Sequence, residues 1–467
     1  MLTAGLSESQ ERVLPTLNVD GTRRWLRPRV SPGRFLTSRR ILAWVLIAIF
    51  TLLPYLRIRG KPSILLDIVH RRFTFFGTTF LPTDTVLLAL LLMGIVVAIF
   101  FVTAVFGRVW CGYACPQTVY MEFIYRPIER LFEGPPGRGG VPGRRQTAVR
   151  TAAKYGVYLV VSIFLAHTFL GYFVGIDALR EWIFRSPFEQ PTSFLVMATT
   201  TALMLFDFAY FREQTCIVAC PYGRLQSVLV DRDSLIVSYD PRRGEPRGKG
   251  KRHPGSTLGD CVDCGLCVDT CPTGIDIRDG LKMECIGCAQ CIDACDSVME
   301  KIGRPLGLVR YGSQARIAGE PGHVARPRIF IYSAVLLLLA GLFGFALSRQ
   351  TGADVTLLRG LGVPFVELPD GGISNPVRVK IMNRHDEDVS FRVEVADDVP
   401  ARLVLDEDPV SVPAGTSVTK GMLVVTPASV FSGGKRDILL RVSGGGETKE
   451  LKYRLLGPAT AEAKEPR

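Results

Sequence analysis

The chain has 467 residues, 47% of them hydrophobic, and a positive mean hydropathy of +0.23. This length and apolar content exclude a single small soluble domain and predict two or three domains with membrane spans. The formal net charge of +12 comes largely from arginines beside apolar runs. Such a distribution is typical of the cytoplasmic loops of a membrane protein, so we do not expect nucleic-acid binding.

The first forty residues carry eight arginines against three acids and have no sustained apolar period. They predict a loose, basic cytoplasmic tail. Arg39-Arg40 before an apolar run resembles a twin-arginine export signal, but no small-residue cleavage site follows the run Ile41–Leu56. We therefore expect an uncleaved first membrane span.

The segment Ile64–Phe76 is amphipathic, aromatic and too charged to cross hydrocarbon. We expect it to form an interfacial helix on the outer face of the membrane.

Four further apolar runs have the length of membrane spans. They are Val86–Phe106, Val157–Phe173, Phe194–Phe211 and Ile329–Leu347. Lysine and arginine alternate between the connecting loops, with eight before the first span, five after it, eight from 107 to 154 and two before the fourth span. Because cytoplasmic loops collect these residues, the pattern predicts a cytoplasmic N-terminus and a periplasmic C-terminal domain.

After Gly352 the apolar residues alternate with polar ones, as in Val377–Ile381 and Phe391–Val395, and glycine-rich turns separate the runs. Apolar residues at every second position predict short antiparallel strands. About one hundred residues with this alternation favour an immunoglobulin-like sandwich. The only histidine here, His385, is expected to be a lone surface side chain.

Eight of the twelve cysteines form a doubled C-x2-C-x2-C-x3-C pattern, which is typical of bacterial ferredoxins. In that pattern three thiolates of one half and the fourth of the other half hold each 4Fe-4S cluster. The spacing therefore assigns one cluster to Cys261, Cys264, Cys267 and Cys295, and a second to Cys285, Cys288, Cys291 and Cys271. Structural zinc would instead use separated C-x2-C pairs.

The other four cysteines form two copies of C-x3-C-P, at the inner ends of the second and fourth spans. They are Cys111 and Cys115, and Cys216 and Cys220. Residues i and i+4 share a helix face, and the proline disfavours helix beyond the second cysteine, so four thiolates are expected to converge. They are candidates for catalysis and metal binding, with Cu(I), zinc, a third iron-sulfur cluster or redox-active thiols all left open. The alternative is that they are small apolar packing residues.

Two intramembrane polar residues also stand out. Asp207, near the inner end of the fourth span, is either a functional carboxylate or one that reaches to the interface. His167, in the third span, has no second intramembrane histidine with which to ligate a haem. No c-type haem motif and no dinucleotide fingerprint occurs, so the clusters are the only electron carriers that the sequence predicts.

Together these features resemble the FixG/RdxA/CcoG family of cytochrome c oxidase accessory proteins. The resemblance covers nearly the whole chain, and its most specific element is Trp110-Cys111-Gly-Tyr-Ala-Cys115-Pro-Gln-Thr. It implies a bacterial inner-membrane protein with five transmembrane helices, a two-cluster ferredoxin domain and an immunoglobulin-like domain. The implied regions are a basic tail (1–40), spans one to four (41–211), a linker and ferredoxin domain (212–327), span five (328–348), the sandwich (349–457) and a disordered tail (458–467).

The resemblance also implies a cupric reductase that supplies Cu(I) for assembly of the cbb3 type of cytochrome oxidase. Its expected partners are membrane lipid, copper chaperones or oxidase assembly factors, and an unidentified cytoplasmic electron donor, and a homo-oligomer is left open. Two alternatives remain: a conduit that oxidises quinol for a periplasmic partner, and a non-enzymatic assembly scaffold or redox sensor.

Overall fold

The computed structural model describes residues 14–18, 20–58, 60–69, 72–80, 84–137, 141–249, 258–321, 326–349, 351–385 and 387–458. Three longer segments lie outside these residues: the first thirteen residues, residues 250–257 of the glycine- and arginine-rich linker, and residues 459–467 of the predicted C-terminal tail. The chain forms two compact units, the first ending at Phe343 and the second beginning at Gly344.

Five helices in the described residues are long and apolar enough to cross a membrane, as the sequence predicts. They are named spans one to five: Arg34–Tyr55, Thr85–Phe106, Ala148–Val174, Pro191–Phe211 and Pro327–Ser348. Spans two and five expose almost all of their apolar side chains. This exposure fits helices whose outer surfaces face lipid instead of water.

Span one begins seven residues earlier than its apolar run because the ferredoxin region (258–321) caps it. Its N-cap position is Gly33, which offers no side chain, and the carboxylate of Asp293 accepts hydrogen bonds from Phe35 N (3.2 Å) and Leu36 N (2.8 Å). A carboxylate at this end also complements the helix dipole. The contact fastens the ferredoxin region to the membrane helices.

The prediction of a loose N-terminal tail is wrong for its described part. Leu26 is buried, Arg29 N donates to Asp269 O at 2.8 Å, and Thr270 Oγ1 donates to Arg29 O at 2.7 Å. Low apolar content hid these contacts, since they are made largely by backbone and charged groups. The segment packs between the membrane helices and the ferredoxin region.

The predicted interfacial helix at 64–76 is also wrong. An antiparallel three-stranded sheet occupies this segment, with strands Ile64–Asp67, Arg72–Phe75 and Thr78–Phe80. Phe76 and Gly77 both have positive φ, 48° and 86°, as a two-residue turn of the mirror-image type requires. Alternating phenylalanine and threonine fit the pleated strands better than a helix.

The rest of the first unit consists of short elements. Its remaining helical segments are Val109–Tyr113, Pro116–Tyr120, Met121–Tyr125, Arg126–Glu133, Ile176–Phe184, Thr215–Ala219, Pro221–Leu229, Pro241–Gly244, Leu266–Asp269, Ile277–Asp279, Gln290–Lys301 and Gln314–Ile317. Two strand pairs join Arg57–Ile58 to Lys61–Pro62 and Ile236–Tyr239 to Val309–Gly312. The second pair closes the ferredoxin region, because it joins the chain before the cysteines to the chain after them.

The second unit is a sandwich of two antiparallel sheets, as the alternation predicts. In spatial order, one sheet contains Arg402–Leu405, Ser417–Pro427, Gly372–Asn383 and Ala353–Arg359, with Val366–Glu367 also paired to Gly372–Asn383. The other contains Val410–Val412, Val389–Val395, Lys435–Gly444 and Glu447–Leu456. Alternate residues such as Val379, Ile381 and Leu440 are fully buried between the sheets. His385 is half-buried, not a surface side chain.

Candidate functional site

The eight ferredoxin cysteines line two neighbouring cavities. The first cavity is lined by Cys261, Cys264, Cys267 and Cys295. The second is lined by Cys271, Cys285, Cys288 and Cys291, with Cys267 on its boundary. This grouping is the one that the crossed ligation pattern requires, because the fourth cysteine of each half lies with the other half.

The two cysteine loops repeat an unusual backbone conformation. The residues on either side of the middle cysteine have positive φ in both loops: Asp263 (49°) and Gly265 (72°) in one, Gly287 (68°) and Ala289 (61°) in the other. Left-handed conformations are uncommon for residues other than glycine. Their repetition at matched positions turns each loop tightly enough for three thiols to line one cavity.

The residues present fit iron-sulfur clusters. Each cavity offers four thiols among mostly apolar walls. Among the described residues, no three His, Cys, Asp or Glu side chains lie close enough to hold a single metal ion. Each cavity thus has the four cysteines that the corners of one 4Fe-4S cube require.

The two C-x3-C-P copies share their backbone geometry. Cys115 (φ −61°, ψ 125°) and Cys220 (φ −71°, ψ 110°) are extended, and each immediately precedes a helix. Pro116 and Pro221 occupy the first positions of those helices, where a missing N–H costs nothing. The proline therefore ends one helix, as predicted, and also starts the next.

The four cysteines of the two copies lie near enough for their charges to interact. Burial is the main cause that raises the pKa of Cys111 to about 11 and of Cys216 to about 12, and the nearby charges of Cys115 and Cys220 raise both further. Cys111 also donates a hydrogen bond to Gln226 Oε1 at 3.0 Å. In the described part of the chain these thiols do not form a ready-made site for a single ion.

Gln226 is a site residue that the sequence did not reveal. Its side chain is fully buried, and its Nε2 donates to Thr103 Oγ1 of span two at 3.2 Å and to the hydroxyl of Tyr222. Its position six residues after Cys220 is the only local signal. It fixes the orientation of the Cys111 thiol.

The first C-x3-C-P copy contacts the loop that lines the second cavity. Cys111 packs with Ile286 and Cys288 in one buried cluster. A Cβ atom on Gly112 would lie 2.8 Å from both Cys288 Cα and Ile286 O, so only glycine allows this approach. Arg39, 1% exposed, secures the junction because its Nε donates to Gly112 O at 2.8 Å.

Asp207 points into the protein and contacts both copies. Its carboxylate accepts hydrogen bonds from Gln117 Nε2 at 3.3 Å and from the hydroxyl of Thr215. Gln117 follows Cys115 by two residues, and Thr215 precedes Cys216. His167, by contrast, bonds the carbonyl of Ile163 in its own helix at 2.7 Å, so it is not part of this site.

The fold and these cavities define a multi-pass membrane protein that transfers electrons through iron-sulfur clusters. Family models match residues 211–314 as a 4Fe-4S dicluster domain, residues 88–135 as a 4Fe-4S binding domain, and residues 343–458 as the IG-like fold at the C-terminal of FixG. The match at 88–135 includes Cys111 and Cys115.

Curated relatives give the same assignment. The chain is 34% identical to protein RdxB of Cereibacter sphaeroides, over 86% of this chain and 90% of that protein. It is 31% identical to the nitrogen fixation protein FixG of Rhizobium meliloti, over 77% of each chain. It is 24% identical to the ferredoxin-type protein NapH of Haemophilus influenzae, over 51% of this chain and 87% of that protein. The chain belongs to the FixG/RdxA family.

Proposed function

We propose that this protein is a membrane cupric reductase that supplies Cu(I) for assembly of a cbb3-type cytochrome oxidase. The observation that carries the proposal is the contact of Cys111 and Gly112 with Ile286 and Cys288. Through this contact the first C-x3-C-P copy lies directly against the loop that lines the second cavity. The ferredoxin region then has an exit for electrons.

The residues would act in a fixed order along this path. The eight cavity-lining cysteines would hold two 4Fe-4S clusters, which supply one-electron transfer. The four C-x3-C-P thiols would bind the copper substrate. Thiolates favour Cu(I) over Cu(II), so they lower the free energy of the reduced product. Each Cu(II) takes one electron from a cytoplasmic donor and becomes Cu(I).

The proposed orientation follows the lysine and arginine distribution. The N-terminus and the ferredoxin region would face the cytoplasm of a bacterial inner membrane, and the sandwich would face the periplasm. In that orientation the sandwich is available to copper chaperones or oxidase assembly factors. Protease access to the two ends in sealed vesicles of known polarity tests this orientation.

The decisive experiment mixes Cu(II) with full-length protein whose clusters have been reduced, while a chromogenic chelator traps Cu(I). Copper reduction is expected in the native protein and not in a variant with all four C-x3-C-P cysteines changed to serine. The control Gly94→Ala alters span two at a site with no neighbouring atom within 4 Å. Equal Cu(I) yields from the native protein and the four-serine variant would exclude these thiols as the copper site.

The same variant tests whether the C-x3-C-P thiols hold a third cluster, an alternative supported by the 4Fe-4S family match at 88–135. Two clusters contain about eight irons per chain, and three contain about twelve. About eight irons in both native protein and variant would leave the thiols free for copper. A fall from about twelve to about eight would assign them to a cluster.

A second candidate function, oxidation of quinol for a periplasmic partner, is favoured by one apolar cavity. It has a volume of about 590 Å³ including the open solvent at its mouth, and it lies between Phe106, at the end of span two, and Cys285, with Leu281 and Met283 in its wall. A ligand dissolved in the membrane could reach a cluster ligand there. The chain also matches the ferredoxin-type protein NapH over 51% of its length.

Anaerobic addition of a short-chain quinol distinguishes the two functions. Under the copper proposal, quinol leaves the cluster absorbance unchanged, and Met283→Trp, which fills the cavity, does not affect copper reduction. Bleaching by quinol that Met283→Trp prevents would establish quinol as the donor. A scaffold would instead keep partner binding and oxidase assembly when Cys288→Ser removes a cluster.

A further inference from the structure

We propose that a cavity beside span one, lined by Arg40 and Trp44, binds the phosphate headgroup of an anionic membrane phospholipid. The cavity has a volume of about 1020 Å³, including its open mouth. Its polar lining includes the side chains of Arg29, Arg40, Arg130 and Gln290. It is separate from the cavities that the cysteines line.

The cavity has an excess of positive charge. It is lined by three arginines and one acid, Glu122, whose carboxylate is already paired with Arg126 outside the lining. Burial lowers the pKa of Arg130, and the positive charges of Arg126 and, less strongly, Arg40 lower it further. Arg40 and Arg130 line the same cavity, so an anion there would lie near two positive charges.

The arginines are available to a ligand. Within the described part of the chain, the guanidinium groups of Arg29 and Arg40 make no hydrogen bond or ion pair, and Arg130 uses only Nε, which donates to Arg126 O at 3.2 Å. The side chain of Gln290 is 4% exposed, and its Nε2 has no hydrogen-bond partner. A buried amide without a partner is costly, and a phosphate oxygen would satisfy it.

The location favours a lipid over a soluble phosphate compound. Leu36, Arg40 and Trp44 follow one another at intervals of four residues along span one, so they share a helix face, and all three line the cavity. Trp44 is 53% exposed on this membrane helix, and tryptophan prefers the headgroup level of a bilayer. Basic pockets beside membrane helices bind anionic headgroups. The acyl chains would continue along span one.

The test uses full-length protein with its clusters, purified in non-ionic detergent and examined by native mass spectrometry. Phosphatidylglycerol is expected to bind more tightly than phosphatidylcholine with the same acyl chains. Arg40→Gln should weaken phosphatidylglycerol binding about fivefold, and Arg40→Gln with Arg130→Gln further, because each arginine near a membrane surface contributes a similar increment. Arg150→Gln removes the same charge at the exposed start of span three and should leave binding unchanged.

Iron-sulfur absorbance verifies that each variant is folded. If the double variant does not fold, the comparison of Arg40→Gln with Arg150→Gln still tests the proposal. Equal binding of the two lipids, or equal losses in Arg40→Gln and Arg150→Gln, would overturn the proposal. Glycerol phosphate that binds as tightly as phosphatidylglycerol would assign the cavity to a soluble phosphate compound instead of a lipid.

Discussion

The two C-x3-C-P copies have the same thiol spacing and the same extended backbone at their second cysteine, but their surroundings differ. The first copy has Gly112 after its first cysteine, and the second has Ile217. Gly112 lies against Cys288 of the second cavity, where an isoleucine side chain would not fit. Duplication therefore accounts for four thiols, and a single glycine accounts for the close approach of the first copy to the ferredoxin region.

The largest expected effect comes from removing the thiols of one copy at a time. Cys111→Ser with Cys115→Ser, and Cys216→Ser with Cys220→Ser, should each reduce Cu(I) production to the chelator background, because copper loses two soft ligands. Stopped-flow trapping of Cu(I) measures the effect, and iron content should stay at about eight per chain. Full activity in the second-copy variant would show that the first copy binds copper alone.

The next effect tests the difference between the copies directly. Gly112→Ile gives the first copy the residue of the second, and the added atoms must displace the Cys288 loop at a cost of about 1–3 kcal/mol. Electron transfer to copper should slow, because the displaced loop moves the second cavity away from Cys111. Gly94→Ile is the control, since no atom lies within 4 Å of its Cβ position. Equal rates in the two variants would mean that electrons leave elsewhere.

A smaller effect is expected from Gln226→Leu, which removes the acceptor for the Cys111 thiol but keeps the side-chain size. Loss of such an orienting group typically lowers metal affinity about tenfold. Competition with a Cu(I) chelator measures the affinity. Gln146→Leu, at an exposed loop position, controls for loss of an amide. Unchanged affinity would show that the Cys111 thiol needs no orienting partner.

The smallest effect is expected from Asp207→Asn, because asparagine keeps one acceptor oxygen for Thr215 or Gln117. Loss of the charge should weaken these hydrogen bonds by about 1 kcal/mol and lower the temperature at which the cluster absorbance is lost. Asp177→Asn is the control, because its carboxylate is 83% exposed and, among the residues that the structure describes, its ion pair is with Arg57. A larger fall in the control would mean that Asp207 does not tie the copies together.

The sequence predicted most of the fold because its signals are local. Five apolar runs gave five spans, and alternating residues gave the sandwich. The sheet at 64–80 was missed because a charged aromatic segment can be amphipathic in either conformation, and the turn at Phe76 and Gly77 was not recognised. The N-terminal segment was missed because it is held by backbone and ionic contacts, which leave no apolar period.

The candidate site also has features that the sequence determined and features that only the tertiary structure decided. Local spacing alone determined which cysteines belong to each ferredoxin loop and that C-x3-C-P occurs twice. Only the tertiary structure decided that Gly112 lies against Cys288, that Gln226 orients Cys111, and that Asp293 caps span one. These contacts join residues that are 115 to 258 positions apart along the chain. A short-range pattern cannot encode such pairs, since they depend on how the membrane helices and the ferredoxin region pack.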